Sequence, residues 1–292
     1  MSKRTYERYE QIVRVHLKPA LGRIKLKALT PTHVRGLYRE KLNSGLASRT
    51  VNYIHTTLHK ALKQAVADGL IPRNVTEAVK APKPARKEVR PLSPEQAKAF
   101  LRAARGDRLE ALYVLAVSTG MREGELLGLR WDDIDLEGGK LSVQRSLTIT
   151  KDGPKFTPTK RSKSRRSIKL TPQGVEALRH HKAAQNEERL GLGSLWEDHG
   201  LVFPNQSGKP MHPWIMTTSF KKILRRAGLP DTTFHAATRH TAATLLFGRG
   251  THPKLVQELL GHATISITLD TYSHVLPGMG DQIAATMEAA LS

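Results

Sequence analysis

The sequence predicts a mainly α-helical protein with a small antiparallel β-sheet, divided into two domains. Its 292 residues are more than one small domain requires. Apolar residues recur at helical spacing through most of the chain and alternate mainly between about residues 141 and 170. A segment rich in Pro and Lys, residues 80–87, separates a shorter N-terminal part from a longer C-terminal part. We therefore expect domains at 1–85 and 86–292.

The N-terminal domain is predicted to consist of a few short helices. The first carries apolar residues at helical spacing and ends at Leu21-Gly22. Thr30-Pro31 begins the second, because Thr is a good N-cap and Pro suits the first helical position. A third helix begins near Ser48 and ends at Asp68-Gly69.

Positive charge is concentrated in this first domain. Its 17 Lys and Arg face five Asp and Glu, so it holds +12 of the chain's net charge of +21. Such an excess predicts a polyanionic partner, although a basic surface also serves solubility. The linker, with Lys83 and Arg86, is either an ordinary connection or a basic strap along a phosphate backbone.

The second domain is predicted to begin with a helix capped by Ser93-Pro94. A buried helix spans about 108–118, a strand follows over about 141–149, and a turn lies at 151–154. The returning strand is 167–170, and 162–166 forms a basic hairpin tip. Later helices are expected from 171 onward and at about 213–227, 238–249, 253–260 and 280–290.

Composition excludes several classes of protein. The chain has no Cys, which excludes disulfides, thiolate zinc sites and thiol nucleophiles. The polar N-terminus carries no apolar signal segment, and the longest apolar run, residues 111–117, is far too short for a membrane span. We expect no membrane partner and a cytoplasmic location.

Two arginines are candidates for binding a phosphate. Arg122 lies at a predicted helix start, where backbone N–H groups already favour an anion, and Glu125 is one turn later and would hold it in place. Without the other site residues, the same Arg–Glu spacing would indicate only an ion pair on the protein surface. Arg239 would be the second clamp or, alternatively, a plain contact to a DNA backbone.

Tyr272 is the candidate nucleophile, with polar neighbours Ser273 and His274. A phenol ionises near pH 10, so it needs a proton acceptor or a strongly activated phosphate. His235 and His262 suit acid–base work and phosphate binding, with His240 and His274 in support. A metal site is the less favoured alternative, because Arg239 within the cluster would repel a cation. No cofactor and no metal is expected.

At this point the chain resembles the tyrosine recombinases of the phage-integrase type. The resemblance rests on TGMREGELLGLRW at 119–131, RHTAATLL at 239–246 and LLGHATISITLDTYSH at 259–274, in that order. It implies an N-terminal core-binding domain and a C-terminal catalytic domain that clamp double-stranded DNA. It also implies site-specific DNA cleavage and rejoining through a 3′-phosphotyrosine. Many such integrases carry a further arm-binding domain, which this chain either lacks or has lost by trimming.

The resemblance also implies a role for each site residue. Arg122, Arg239 and His262 would bind the scissile phosphate, and Tyr272 would attack it. His235 would be the base-like residue. Lys160, with Lys163 as the alternative, would be the hairpin lysine that protonates the 5′-hydroxyl leaving group.

Two spacings depart from the family pattern. The family places its His three residues before the second Arg, whereas here His235 is four before Arg239 and Ala236 holds the usual place. The extra residue is either absorbed by a turn or leaves His235 misplaced. The ten residues from His262 to Tyr272 are one more than in many members.

The family further implies a homotetramer on two duplexes, a Holliday junction intermediate, and accessory directionality or DNA-bending factors. The apolar stripe of a C-terminal tail helix, 281–291, would pack on a neighbouring subunit or on its own domain. Two alternatives to recombination stay open: topoisomerase IB-like relaxation, and sequence-specific DNA binding with lost catalysis. The residues expected to contact DNA are Arg49, Asn52, Tyr53, His55, Lys83, Arg86, Lys163, Arg165 and Arg225.

Overall fold

The computed structural model describes residues 1–84, 90–158, 165–272 and 287–291. The chain divides into two compact units, Met1–Glu88 and Val89–Ser292. The predicted class, mainly helical with small antiparallel sheet, is confirmed. Within the described ranges, no helix is long and apolar enough to cross a membrane.

The N-terminal unit is built from helices around a small apolar core. Its helices are α1 (Lys3–Ile12), α2 (Lys18–Leu21), α3 (Pro31–Asn43) and α4 (Ser48–Ala67). A π-helical turn, Val13–Leu17, joins α1 to α2. The predicted start of α3 is confirmed, because the Thr30 hydroxyl accepts a hydrogen bond from the His33 N–H. Val34 of α3 packs with Val51 and Ile54 of α4, all fully buried.

The C-terminal unit carries the larger core. Its helices are α5 (Pro94–Ala103), α6 (Glu110–Thr119), α7 (Glu123–Leu127), α8 (Pro172–Leu192), α9 (Pro213–Arg226), α10 (Thr241–Phe247), α11 (Pro253–Leu260) and α12 (Ile265–Tyr272). Helix α6 is apolar on every face and almost wholly buried, as a central core helix must be. It ends at Gly120, which adopts a left-handed φ of +61°. A separate apolar cluster joins α10, α11 and α12, and Tyr272 belongs to it.

Within the part of the chain that the structure describes, the strands form two antiparallel sheets. They are β1 (Ile134–Asp135), β2 (Lys140–Val143), β3 (Arg145–Thr150), β4 (Gly153–Pro158) and β5 (Arg166–Lys169). The order is β1-β2-β5 in one sheet, and β3 pairs with β4 in the other. The returning strand expected at 167–170 therefore pairs with β2, whereas the hairpin partner of β3 is β4.

Strand β4 was not predicted, because prolines lie near its start and at its end. Pro154 and Pro158 lack an amide hydrogen and favour a turn assignment, yet a two-stranded ribbon leaves one edge free and tolerates them. Across this ribbon Leu147 lies opposite Phe156. In the other sheet, Leu141 lies opposite Ile168, and both are buried.

Candidate active site

Arg239 is held inside the C-terminal unit by backbone oxygens. Arg239 is only 2% exposed. Its guanidinium donates from Nη1 to the Gly120 carbonyl and from Nη2 to the Leu260 carbonyl, both at 2.7 Å. Burial, followed by the nearby charge of Arg122, lowers the pKa of Arg239 to about 9. The guanidinium is therefore a buried cation in a fixed position, beside a second cation.

Arg122 lies at the N-cap of α7, and its guanidinium reaches the same end of α11 as that of Arg239. Its Nη1 donates to Glu125 Oε1 at 2.8 Å, and its Nη2 donates to the Gly261 carbonyl at 3.3 Å. Gly261 directly follows Leu260, which holds Arg239, so the two guanidinium groups converge at the end of α11. The Arg122 side chain remains 41% exposed and can reach a ligand.

Glu125 binds two arginines at once. Its side chain is 4% exposed, and it accepts from Arg122 and from Arg166, whose Nη2 lies 2.9 Å from Oε2. Burial alone would raise the pKa of Glu125, but the hydrogen bond and charge of Arg166, with those of Arg122, lower it. The carboxylate is therefore ionised, and the predicted support of Arg122 by Glu125 is present.

Arg166 was not among the predicted site residues. It was assigned to a basic hairpin tip, but it begins β5 and its side chain is 8% exposed. Besides Glu125, its Nε donates to the Leu259 carbonyl at 2.7 Å. Three consecutive carbonyls at the end of α11, those of Leu259, Leu260 and Gly261, thus hold three arginines. The charge run around 161–166 hid this residue, since burial is not visible in sequence.

Two glycines make this convergence possible. Gly120 and Gly261 have φ values of +61° and +63°, a left-handed conformation that favours glycine. A Cβ at Gly120 would lie 2.5 Å from Leu260 Cδ2, and one at Gly261 would lie 2.9 Å from Arg166 Nη1. Both positions therefore favour glycine for backbone conformation, and a Cβ at either one would displace the neighbouring side chain.

Tyr272 ends α12 and is covered by its neighbours. The residue is 3% exposed, its ring lies 5.8 Å from that of Phe247, and its Oη lies 2.7 Å from His240 Nδ1. Burial raises the pKa of Tyr272 to about 12, while Arg239 acts in the opposite direction. The phenol is therefore protonated at neutral pH and needs a proton acceptor before it can attack.

The histidines of the site are held neutral. Desolvation, followed by the charge of neighbouring groups, lowers the pKa of His235 and of His262 to about 4, and it lowers the pKa of His240 as well. After burial, the neighbours that lower the pKa of His235 are His240, Arg239 and Arg122. For His262 the largest effect on the pKa after burial comes from Arg239. His262 Nδ1 lies 2.9 Å from the Thr268 hydroxyl, which orients the ring. Neutral imidazole can donate one hydrogen bond to an anion and accept another.

The unusual spacing between His235 and Arg239 coincides with a π-helical turn. Residues Ala236–His240 form this turn, in which the Thr241 N–H donates to the carbonyl of Ala236, five residues earlier. A π-turn holds one residue more than an α-turn. It brings His235 against His240, with ring centroids 4.9 Å apart at 86°. Of the two alternatives for the extra residue, the structure supports absorption by the turn.

Four predicted residues lie outside the described ranges. They are Arg86, Lys160, Lys163 and His274. Of the remaining DNA-contact candidates, Arg49, Tyr53, Lys83, Arg165 and Arg225 are exposed. Tyr53 also lies under the Arg8 guanidinium at 5.5 Å.

Asn52 and His55 differ from the other described DNA-contact candidates because they are partly buried, and both make internal contacts. Asn52 donates to the Pro82 carbonyl at 3.3 Å, and His55 Nδ1 lies 2.7 Å from the Tyr38 hydroxyl. These contacts hold the end of the N-terminal unit and the α3–α4 packing. Among the described residues, no three His, Cys, Asp or Glu side chains group as a metal-binding set.

Comparison with protein-family models identifies two regions. Residues 90–278 match the phage integrase family, and residues 1–42 match the phage integrase N-terminal SAM-like domain. A XerC-like tyrosine recombinase of Caldanaerobacter subterraneus subsp. tengcongensis is 35% identical over 94% of this chain and 74% of its own length. An integrase of Streptomyces ambofaciens is 33% identical over 92% of this chain and 71% of its own length.

Solved structures share the fold. The integrase of transposon Tn1549, in complex with a circular intermediate DNA, superposes with a TM-score of 0.82 at 23% identity, covering 99% of this chain and 94% of that one. A lambda integrase tetramer bound to a Holliday junction gives a TM-score of 0.65 at 23% identity, covering 95% and 72%. With the family match over most of the C-terminal unit, we conclude that the chain belongs to the phage integrase family and is a site-specific DNA recombinase of the tyrosine type.

Proposed function

We propose that the chain cleaves DNA at a phosphate bound between Arg122 and Arg239, with Tyr272 as the nucleophile. The observation that carries this proposal is the convergence of two cations on adjacent carbonyls, those of Leu260 and Gly261. Like charges placed side by side repel each other, and an anion between them removes the repulsion. A phosphate gains negative charge on its equatorial oxygens as the transition state forms, so fixed guanidinium groups stabilise that state more than the ground state.

The neutral histidines complete the phosphate site. His262 is oriented by Thr268 and feels the charge of both arginines, so it is placed to donate a hydrogen bond to a phosphate oxygen. His235 lies within the field of Arg239 and Arg122 and serves as an acid–base group beside that phosphate. Lys160, with Lys163 as the alternative, would protonate the 5′-oxygen, and this role rests on the family resemblance alone.

The chemistry then requires no external energy source. Attack of the Tyr272 hydroxyl forms a 3′-phosphotyrosine and releases a 5′-hydroxyl, so the phosphodiester bond is exchanged for another of similar energy. A 5′-hydroxyl from a partner duplex reverses the step and joins the exchanged strands. The fixed cations provide the charge stabilisation that a metal ion provides in other phosphoryl transfer enzymes.

We further propose that four subunits act on two duplexes through a Holliday junction. The lambda integrase tetramer, whose fold this chain shares, is bound to such a junction. Residues 287–291 are helical, and Met287 and Leu291 are exposed on them. An apolar segment of this kind can pack on a neighbouring subunit and couple their activities. We also propose that accessory factors, which set the direction of the reaction or bend DNA, act with this assembly.

The first measurement to make is covalent trapping. The full chain is mixed with nicked, partly randomised duplexes in the absence of metal ions, and SDS-stable protein–DNA adducts are separated on a gel. We expect an adduct that Tyr272→Phe abolishes, and sequencing of the trapped DNA identifies the target site. Tight, salt-sensitive DNA binding without an adduct would contradict the proposed site and favour a DNA-binding protein without catalysis. Plasmid relaxation without strand exchange would favour topoisomerase-like action.

A further inference from the structure

The hydroxyl of Tyr272 contacts a histidine that the phosphate site does not use. Tyr272 Oη lies 2.7 Å from His240 Nδ1, and the two rings lie 5.4 Å apart. Phe247 packs on the tyrosine ring at 5.8 Å and excludes water from that side. The nucleophile is therefore held by one polar partner at its reacting atom and by an apolar ring beside it.

The direction of this hydrogen bond follows from the two pKa values. Burial raises the pKa of Tyr272 to about 12, so the phenol carries its proton at neutral pH and donates it. Burial, followed by the charge of Arg239, lowers the pKa of His240, so the imidazole is neutral there. The Nδ1 atom must then be the unprotonated nitrogen, with the ring proton on Nε2.

The π-turn determines which way the His240 ring faces. In an α-helix, residues five apart point about 140° from each other, since one turn takes about 3.6 residues. The wider π-turn brings positions 235 and 240 to the same face, and the two imidazoles meet edge to face at 4.9 Å. His235 thus packs on one side of the His240 ring, and Tyr272 binds Nδ1.

We infer that His240 is the general base that takes the proton of Tyr272 during DNA cleavage. This inference rests on the proposed role of Tyr272 as nucleophile and deepens it. The Oη–H bond breaks as the Oη–P bond forms, and the proton passes to His240 Nδ1. The P–O5′ bond breaks, and the 5′-oxygen takes a proton from the general acid, proposed above to be Lys160 with Lys163 as the alternative. In the rejoining step the imidazolium returns its proton to Oη, and both groups recover their starting states.

This assignment replaces the acid–base role proposed above for His235, which is also the base-like residue that the family resemblance implies. The hydroxyl of Tyr272 contacts His240 and not His235, whose ring lies against His240 instead. His235 is then a positioning residue for the base as well as a neighbour of the phosphate. Burial raises the pKa of Tyr272 and the charge of Arg239 opposes that rise, whereas burial and then Arg239 both lower the pKa of His240. The phenolate that forms beside Arg239 is stabilised by the same guanidinium that binds the phosphate.

The test begins with His240→Gln in the full chain. Gln retains a hydrogen-bonding side chain of similar length but cannot take up a proton. Single-turnover cleavage of a nicked duplex should slow by roughly 10²- to 10⁴-fold, the usual effect of losing a general base, while DNA binding and melting temperature stay unchanged. The matched control is His180→Gln, at an exposed position of α8, which should cleave at the wild-type rate.

Two further measurements distinguish a general base at His240 from a general acid and from a residue that only supports the structure. Replacing Tyr272 by 3,5-difluorotyrosine gives a more acidic phenol, which should recover at least about 10-fold of the rate lost in His240→Gln. A 5′-bridging phosphorothiolate substrate has a thiol leaving group that needs no general acid, and on it His240→Gln should stay slow while Lys160→Ala recovers.

Three results would overturn the inference. They are wild-type cleavage by His240→Gln, recovery of that variant on the phosphorothiolate substrate, and a loss of rate that difluorotyrosine leaves unchanged. The last would reduce His240 to structural support. Failure of the underlying nucleophile assignment would look different, because Tyr272→Phe would then still form an adduct with the ordinary substrate.

Discussion

At the scale of single residues, Glu125 links two arginines of the site. It is a buried carboxylate that accepts from two arginines, one of which is a phosphate ligand in our proposal. Removing one partner of a buried ion pair costs more than the pair itself contributes, because the remaining charges are left without compensation. Here two guanidinium groups would be left together beside a third, that of Arg239.

Glu125→Gln should therefore lower the free energy of unfolding by about 3 kcal/mol. It should also reduce covalent adduct formation, because Arg122 loses the group that orients it. Urea denaturation and the trapping assay measure the two effects. Glu176→Gln removes an exposed carboxylate from α8 and should leave both unchanged. A Glu125→Gln protein as stable as the wild type would show that the buried pair makes no net contribution.

The lowered pKa of His262 predicts how stability depends on pH. An unfolded histidine takes up a proton near pH 6.5, whereas folded His262 does so only near pH 4. Between these values the unfolded chain binds more protons, so the free energy of unfolding must fall as the pH falls from 7 towards 4. Urea titrations at pH 7 and 4.5 should show a smaller fall in His262→Gln than in the wild type, by on the order of 1 kcal/mol. An equal fall in both proteins would contradict the assignment.

The sequence predicted some contacts of these residues and not others. The pair Arg122–Glu125 follows from their spacing of one helical turn, which places both on the same face. The contact of Glu125 with Arg166 joins residues 41 positions apart. Similarly, the bond between His240 and Tyr272 joins two helices across 32 positions. Such contacts depend on tertiary packing, which no local pattern specifies.

At the scale of structural elements, the C-terminal end of α11 positions the arginines of the site. Its last carbonyls receive hydrogen bonds from Arg166, Arg239 and Arg122, so they complement cations as a helix C-terminus does. Gly261 turns the chain away in a left-handed conformation and leaves room for Arg166 beside it. The element acts as a rigid support for positive charge.

Gly261→Ala should reduce adduct formation by at least about 10-fold, because the new Cβ would displace the Arg166 guanidinium and with it Glu125 and Arg122. The matched control is Gly228→Ala. Gly228 has nearly the same φ, +64°, and open space around its Cβ position. Both variants should lose about 1 kcal/mol of stability to backbone strain, but only Gly261→Ala should lose cleavage. Equal cleavage by the two variants would rule out the steric argument.

The sequence predicted where helices begin more reliably than it predicted which strands pair. The caps at Thr30, Ser93 and Thr171 correctly marked helix starts, because their hydroxyls satisfy free amides of the first turn. The strand β4 was missed between its prolines. The π-turn at 236–240 was visible only as one residue too many between His235 and Arg239.

For the whole molecule, the net charge of +21 dominates interaction with DNA. Exposed cations displace counterions from phosphates, and each phosphate neutralised adds about 0.9 to the slope of log affinity against log salt. With six to ten such contacts, affinity should fall by about 10³- to 10⁵-fold between 50 and 200 mM salt. Fluorescence anisotropy with a labelled duplex measures this, and a flat salt response would contradict a phosphate-based interface.

Arg49→Ala should lower this slope by about one, since Arg49 is exposed on the helix expected to contact DNA. Arg179→Ala is the control, because Arg179 is already paired with Glu137 at 2.9 Å. Its slope should match that of the wild type. An unchanged slope in Arg49→Ala would show that Arg49 makes no phosphate contact.

The adjacent guanidinium groups of Arg122 and Arg239 also have a consequence for handling the protein. Burial, followed by the charge of Arg122, lowers the pKa of Arg239, so this cation is held at an energetic cost where α6, α10 and α11 meet. An oxyanion bound between the two arginines would stabilise only the folded state, and by mass action 100 times its dissociation constant would add about 2.7 kcal/mol. Phosphate or sulfate in a storage buffer should therefore raise the melting temperature and, by occupying the same place, act as a weak competitive inhibitor of DNA cleavage.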